Sequence, residues 1–222
     1  MNIAGFQKLS LQDFPGKVAC IVFTQGCNFR CGFCHNPELI PFENADLLDT
    51  EETVAYIKER KGMLDGVVIT GGEPTLQNDL QDFIRQMKYM GLYVKLDTNG
   101  SAPDVLKDLI DKGLINYIAM DYKYPLNLYK ELVKSDASEK IKRSKEIIEA
   151  SGIDHEFRIT VVPDLFTDDI IGQMSTELKN SKAILQAFNN EVVLDEEFRK
   201  YKNTKISFLE EVKKRFENAE IR

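Results

Sequence analysis

The stretch KVACIVFTQGCNFRCGFCHNPEL, residues 17–39, decides the fold. Its opening, KVACIVFT, is a short apolar run rich in β-formers, which predicts a strand over residues 17–24. The loop that follows holds three of the chain's four cysteines, Cys27, Cys31 and Cys34, spaced C-x3-C-x2-C. A strand that runs straight into a thiol-bearing loop sets a pattern to look for along the rest of the chain.

That pattern recurs. Apolar runs at 66–70 (GVVIT), 93–97 (YVKLD), 115–121 (INYIAMD), 155–162 (HEFRITVV) and 183–188 (AILQAF) read as further strands. Between them, apolar residues at i, i+3 and i+4 predict helices over 50–62, 76–90, 102–112, 137–151 and 168–180, with another at 206–216 after the last strand. Thr50 and Asp168 are expected N-caps, and Gly62, Gly91, Gly113 and Gly152 stand where helices should stop. Six strand–helix units without hairpin turns imply parallel pairing through right-handed crossovers, giving either an open doubly wound sheet or a partial barrel. No linker, repeat or low-complexity segment interrupts residues 1–222, so a single domain is expected, and the charged run 139–145 reads as a solvated helix face.

Composition sets the surroundings. At 222 residues and 43% hydrophobic content the chain can bury a good core. The N-terminal residues lack an apolar h-region, and no nearby run is long enough to span a bilayer, so no membrane association is expected. Four cysteines, three of them packed together, suit a reducing cytoplasm with metal or redox use better than a disulfide framework. A net charge of −7, from 29 basic and 36 acidic residues, argues against nucleic acid as a partner.

In parallel α/β folds, ligands bind where the loops after the strands converge. The residues expected there are the cysteine loop, then Gly71, Gly72, Glu73 and Pro74, then Asp97, Thr98, Asn99 and Gly100. Asp121 and Lys123 follow the fourth strand, Arg158 lies on the fifth, and Gln186 and Phe188 on the sixth. A purely structural sheet needs no such clustering of polar and special residues at one rim.

Three thiolates at these intervals can turn inward on a common centre. A structural zinc site would need a fourth ligand: His35 adjoins Cys34, which makes joint ligation awkward, and Cys20 is expected in the core as a small hydrophobe. A metal-free thiol cluster is another reading. A third is a 4Fe–4S cubane held at three corners, with one iron left for an external chelator such as the amine and carboxylate of an amino acid.

CNFRCGFC resembles the signature of radical S-adenosylmethionine enzymes, down to the aromatic Phe33 before the last cysteine, and GGEP at 71–74 is similar to that superfamily's methionine-binding segment. The longer run QKLSLQDFPGKVACIVFTQGCNFRCGFCHNPEL resembles the activating proteins of anaerobic ribonucleoside-triphosphate reductases and, more widely, the glycyl-radical enzyme activases. The likeness continues through DTNG at 97–100, MDYK at 120–123, RITVVP at 158–163 and LQAF at 185–188. It implies a partial (β/α)6 TIM-like barrel of parallel strands, the radical SAM core, with Cys27, Cys31 and Cys34 carrying a 4Fe–4S cluster.

The resemblance also implies S-adenosyl-L-methionine as cofactor. Reductive cleavage would yield a 5′-deoxyadenosyl radical that takes a glycine Cα hydrogen from the partner reductase or another glycyl-radical enzyme, with flavodoxin or ferredoxin supplying the electron. Gly71 and Gly72 are expected to let the backbone approach the methionine moiety, Glu73 to receive its ammonium and Lys123 its carboxylate. Phe33 is expected near the adenine, and Asp97 and Asp121 at the ribose or a cation. Thr98 belongs to the same rim, and Arg158 is expected to steady adenosine or the incoming peptide, or to balance a carboxylate. His35 and Asn36 are expected to shape the cluster loop, and His155 to be structural. Two other readings remain: a radical SAM enzyme for a small molecule, similar to 7-carboxy-7-deazaguanine synthase, and a non-catalytic Fe–S or zinc protein. No extra cysteine-rich insertion is present, which disfavours activases that carry additional clusters.

Overall fold

The structure, a computed structural model, describes residues 1–43 and 46–222. Among the described residues, eight strands form one sheet: β1 (Ile3–Ser10), β2 (Ala19–Thr24), β3 (Gly66–Gly71), β4 (Tyr93–Thr98), β5 (Tyr117–Asp121), β6 (Asp154–Val161), β7 (Ala183–Ala187) and β8 (Ala219–Ile221). Helices α1 (Thr50–Glu59), α2 (Leu80–Tyr89), α3 (Pro103–Asp111), α4 (Tyr129–Leu132), α5 (Ser138–Ala150), α6 (Asp168–Glu177) and α7 (Ile206–Lys213) join them. The strands lie in the order in which they occur along the chain. A doubly wound sheet reverses its strand order at a switch point, and this one does not, so of the two expected architectures the molecule takes the unclosed partial barrel.

Period-two alternation divides the parallel strands between two interiors. Cys20 and Val22 of β2, Val67 and Ile69 of β3, Val94 and Leu96 of β4 and Phe157, Ile159 and Val161 of β6 face the helices, whose Ile57, Phe83, Met87, Leu106, Ile148, Met174 and Leu209 complete the main core. The opposite face has a small apolar floor of Phe14, Ala19, Ile21, Val68 and Tyr117. The same alternation puts Lys95 and Asp97 of β4, Glu156, Arg158 and Thr160 of β6 and Gln186 of β7 on that second face. Charges in the middle of otherwise apolar strands are therefore lumen residues. At the floor, Glu156 accepts from Tyr117 Oη at 2.9 Å and from both terminal nitrogens of Arg222 at 2.7 and 3.0 Å.

Several sequence expectations need correction. β1 pairs antiparallel with β2, so not every neighbour is parallel. Its alternation is too weak to read, because Phe6–Leu9 are half-buried or exposed and the pairing is broken by register shifts. β8, three residues long, pairs parallel with β7. The caps sit one residue early: Asp49 accepts from Glu52 N and Thr167 from Ile170 N, in place of Thr50 and Asp168. Thr50 instead accepts from the chain's amino terminus and donates to Met1 O. The helix starting at 76 begins at Leu80, after a separate 3-10 turn at Pro74–Leu76. Among the described residues, no helix is long and apolar enough to cross a membrane.

Candidate active site

The cysteine loop leaves β2 through Gly26, whose φ of +96° is open to glycine. Gly26 N donates to Leu39 O at 2.8 Å and Cys27 N to Ile40 O at 3.0 Å, so the loop's two ends run side by side and its middle is thrown out as one lobe. Within it Cys34 N donates to Cys31 O, and Pro37 opens a 3-10 turn. From above, residues 192–201 strap the lobe down. Asp195 N donates to Gly32 O, His35 Nδ1 pairs with Val192 O at 3.2 Å, and the Phe198 ring lies so close to Gly32 that a Cβ there would stand 2.1 Å from it.

Cys27, Cys31 and Cys34 all line one cavity of about 260 Å³. Its other walls include Phe33, His35 and Asn36 of the same loop, Thr70, Gly71 and Gly72 at the end of β3, Asn99 after β4, Asp121 and Lys123 at the end of β5, and Arg158, Thr160 and Gln186 of β6 and β7. Burial pushes all three thiols upward, Cys31 to about 12. Phe29 N and Asn99 Nδ2 donate toward Cys27 Sγ at 3.4 and 3.9 Å. Cys20 is buried in the main core, its thiol pushed up to about 12 by that burial, and is no ligand candidate. Among the described residues, no three His, Cys, Asp or Glu side chains close around a single ion. A mononuclear zinc site draws its ligands tightly together, whereas the corners of a cubane hold theirs farther apart.

A ladder of charges stands beside the thiols. Lys95 pairs with Asp97, Arg158 bridges Asp97 (2.7 Å) and Asp121 (2.9 Å), and Lys123 reaches Asp121 at 3.2 Å. Burial by itself would raise both carboxyls, but Arg158 with Lys95 or Lys123 holds each below the usual range. Burial would likewise discharge Lys123; the adjacent Asp121 keeps its ammonium charged well above the ordinary lysine range. Three cations against two carboxylates leave this end of the lumen net positive, and Lys123 Nζ stands 5.7 Å from the centre of the Phe33 ring.

Some residues expected at the site sit elsewhere. Glu73 does not line the cavity. It is fully buried, and its carboxylate accepts from Thr75 N, Thr75 Oγ1, Thr98 Oγ1 and Asn99 N. Burial pushes it up and these donors pull it back. It fastens the loop after β3 to the loop after β4. Thr98 serves the same junction. Asp97 is held by Lys95 and Arg158 behind the cavity wall. Gly71 and Gly72 do line the cavity, yet what requires glycine there is the chain itself: a Cβ at Gly71 would stand 2.3 Å from Thr24 N, and one at Gly72 2.2 Å from Gly26 O. Phe33 lines the cavity with its ring wedged edge-on against Tyr124.

Sequence placed Asn99 at the rim without a role of its own. Its amide reaches both Asn28 Oδ1, at 2.9 Å, and the Cys27 sulfur. Thr70 and Thr160 were passed over as ordinary strand residues. The strap at 192–201 carries no motif; its one legible mark is Phe198 among charged neighbours.

Residues 21–172 match the family model of the Radical SAM superfamily. A Methanocaldococcus jannaschii protein named as a candidate glycyl-radical enzyme activating enzyme is 33% identical over 99% of this chain and 95% of its own length. The pyruvate formate-lyase-activating enzyme of Clostridium pasteurianum is 34% identical over 45% of this chain and 43% of its own. Among solved structures, Streptococcus suis SuiB bound to S-adenosylmethionine superposes with a TM-score of 0.67 over 89% of this chain and 48% of that one; at 16% identity it speaks for the fold alone.

Proposed function

This chain belongs to the radical SAM superfamily, and we propose that it activates a glycyl-radical enzyme, its partner being an anaerobic ribonucleoside-triphosphate reductase. The observation that carries the reading is the convergence of three thiols, without a fourth, on the cavity that also holds Gly71, Gly72, Asp121, Lys123 and Arg158. Support for an activase comes from the near full-length likeness to the M. jannaschii protein. For the reductase it comes from the resemblance of residues 7–39.

The donor set suits a 4Fe–4S cluster. Cys27, Cys31 and Cys34 would hold it, with the Phe29 N–H, the Asn99 amide and the Lys123 ammonium beside them, and a three-cysteine set would leave one iron for an outside ligand. When bound there, a reduced cluster supplies the electron that splits S-adenosylmethionine into methionine and a 5′-deoxyadenosyl radical. The chain's own work is to bind, orient and exclude water. The net positive end of the lumen would take the methionine carboxylate through Lys123, the ammonium that lines the cavity. The ammonium would fall to the backbone carbonyls of Gly71 and Gly72, which line the cavity where Glu73 does not. Arg158, fixed between two carboxylates, would give the nucleoside a rigid wall. Phe29, Phe33 and Ile40 keep the cavity dry around the reacting atoms.

Anaerobically reconstituted protein given dithionite and S-adenosylmethionine should release 5′-deoxyadenosine, and adding the reductase should produce a glycyl radical signal by electron paramagnetic resonance. Nucleoside release without a glycyl radical would move the reading to a small-molecule substrate. Stoichiometric zinc without inorganic sulfide would end it.

A further inference from the structure

Among the described residues, the hydroxyl of Tyr124 is the one buried side-chain nitrogen or oxygen that lacks a hydrogen-bond partner. The neighbouring buried tyrosines are all provided for. Tyr122 donates to Glu177 at 2.7 Å, Tyr129 accepts from Lys123 N at 3.0 Å, and Tyr117 donates to Glu156. Leaving a donor unpaired away from water costs about 1–3 kcal/mol, and phenylalanine would fill the same space without that cost. The hydroxyl therefore calls for a partner.

Its surroundings name one. The Tyr124 ring stands edge-on to Phe33, between Cys31 and Cys34, with centroids 6.0 Å apart, and Phe166 closes on it at 5.8 Å. The titratable group that acts on it most strongly is the Cys31 thiol, ahead of Tyr201 and Lys123. Phe29 N serves the Cys27 sulfur and Asn36 N the Cys34 sulfur, but the Cys31 sulfur takes none of the described hydrogen bonds. An orphaned donor and an orphaned sulfur thus lie in the same buried layer behind the cysteine loop.

We infer that Tyr124 is a hydrogen-bond donor to the sulfur of the cluster at its Cys31 corner, left without a partner until the cluster occupies the loop. The inference rests on the cluster reading proposed above. A donor to a cluster sulfur favours the more electron-rich, reduced form and so raises the reduction potential. Tyr124 would make the cluster easier to reduce without touching the nucleoside or the partner.

The test compares wild type, Tyr124→Phe and, as a control at the far end of the lumen, Tyr117→Phe, each reconstituted anaerobically, assayed for iron and sulfide, and titrated through reduction by electron paramagnetic resonance. Metal-free samples of the first two are melted in parallel. Tyr124→Phe should show a midpoint shifted to more negative potential while Tyr117→Phe does not, and metal-free Tyr124→Phe should melt at or above wild type, since it deletes an unpaired group. Failure of Tyr124→Phe alone to retain iron and sulfide, with its metal-free melting unchanged, would equally support the contact. A loaded Tyr124→Phe protein with the wild-type midpoint, or a metal-free one melting well below wild type, overturns the inference and leaves the cluster reading standing. Wild type that takes up no iron and sulfide removes both.

Discussion

The loop after β2 carries three thiols with few donors among them, one of which, Cys31, has none. The turn after β3, packed against it through Gly72 N→Thr24 O and Glu73 N→Gly26 O, carries one carboxylate and surrounds it with four. Both segments follow parallel strands, and each places an ionisable side chain out of water, Cys31 in one and Glu73 in the other. The difference lies in what completes them. Glu73 is satisfied by the chain and therefore belongs to the fold. The cysteine loop is incomplete by the chain alone, and its unmet capacity marks where a ligand belongs. Satisfaction of buried polar groups thus separates scaffold from site more sharply than nearness to the cavity does.

The largest effects should fall on the incomplete loop and be confined to function. Cys27→Ala, Cys31→Ala and Cys34→Ala are each expected to reduce 5′-deoxyadenosine release to background, while metal-free Cys34→Ala unfolds in urea within about 1 kcal/mol of wild type, because little of the fold hangs on that thiol. Release retained by any of the three, or a large loss of metal-free stability, would break the contrast. Next in size is the seam between the two segments. Gly72→Ala forces a Cβ to within 2.2 Å of the Gly26 carbonyl oxygen. Backbone cannot swing aside as a side chain can, so a loss of about 1–3 kcal/mol is expected in the metal-free protein, together with reduced iron uptake as the cysteine loop is displaced.

Glu73→Gln tests the complete segment. One carboxylate oxygen accepts from Thr75 N at 3.1 Å and the other from Asn99 N at 2.6 Å. Neither N–H can rotate away, so either orientation of the amide turns its NH2 against a backbone donor. A loss of about 1–3 kcal/mol in metal-free urea unfolding follows. Wild-type stability with nucleoside release lost would return Glu73 to the ligand-binding role that the sequence suggested.

How far the sequence was legible follows the same division. Strands β2 to β7 stood out because each carries a run of β-formers, unbroken in β2 and β3 and interrupted by lumen charges in β4 and β6, and the rim was legible because chemistry-bearing residues recur at or after their ends. β1 escaped because an edge strand with exposed Gln7 and Lys8 lacks the apolar signal, and β8 because three residues carry no period. The three cysteines were legible because thiols in that spacing have few other uses. Glu73, Asp97 and Thr98 were assigned to the cavity because sequence gives the strand end on which a residue sits but not whether neighbouring donors have already consumed it. Tyr124 could not be found at all, since an unpaired hydroxyl is a property of everything around it. The lumen charges are an intermediate case: the parity of Lys95, Asp97 and Arg158 along their strands was open to reading, but their mutual pairing required the register of β4 against β5 and β5 against β6.

The smallest expected effect sharpens the comparison most. Thr75→Val removes one donor hydroxyl from Glu73 and keeps the residue's shape, its backbone N–H and three of the four hydrogen bonds to the carboxylate. If the junction is as complete as it looks, the remaining donors still hold the charge and the loss should be about 1 kcal/mol in metal-free urea unfolding. In the double variant with Glu73→Gln the two losses should fall short of adding, because the hydroxyl has less to gain from an amide than from a carboxylate. Full additivity would mean that Thr75 and Glu73 act independently. The carboxylate would then not be the hub of the junction, and the separation of a complete segment from an incomplete one would lose its clearest member.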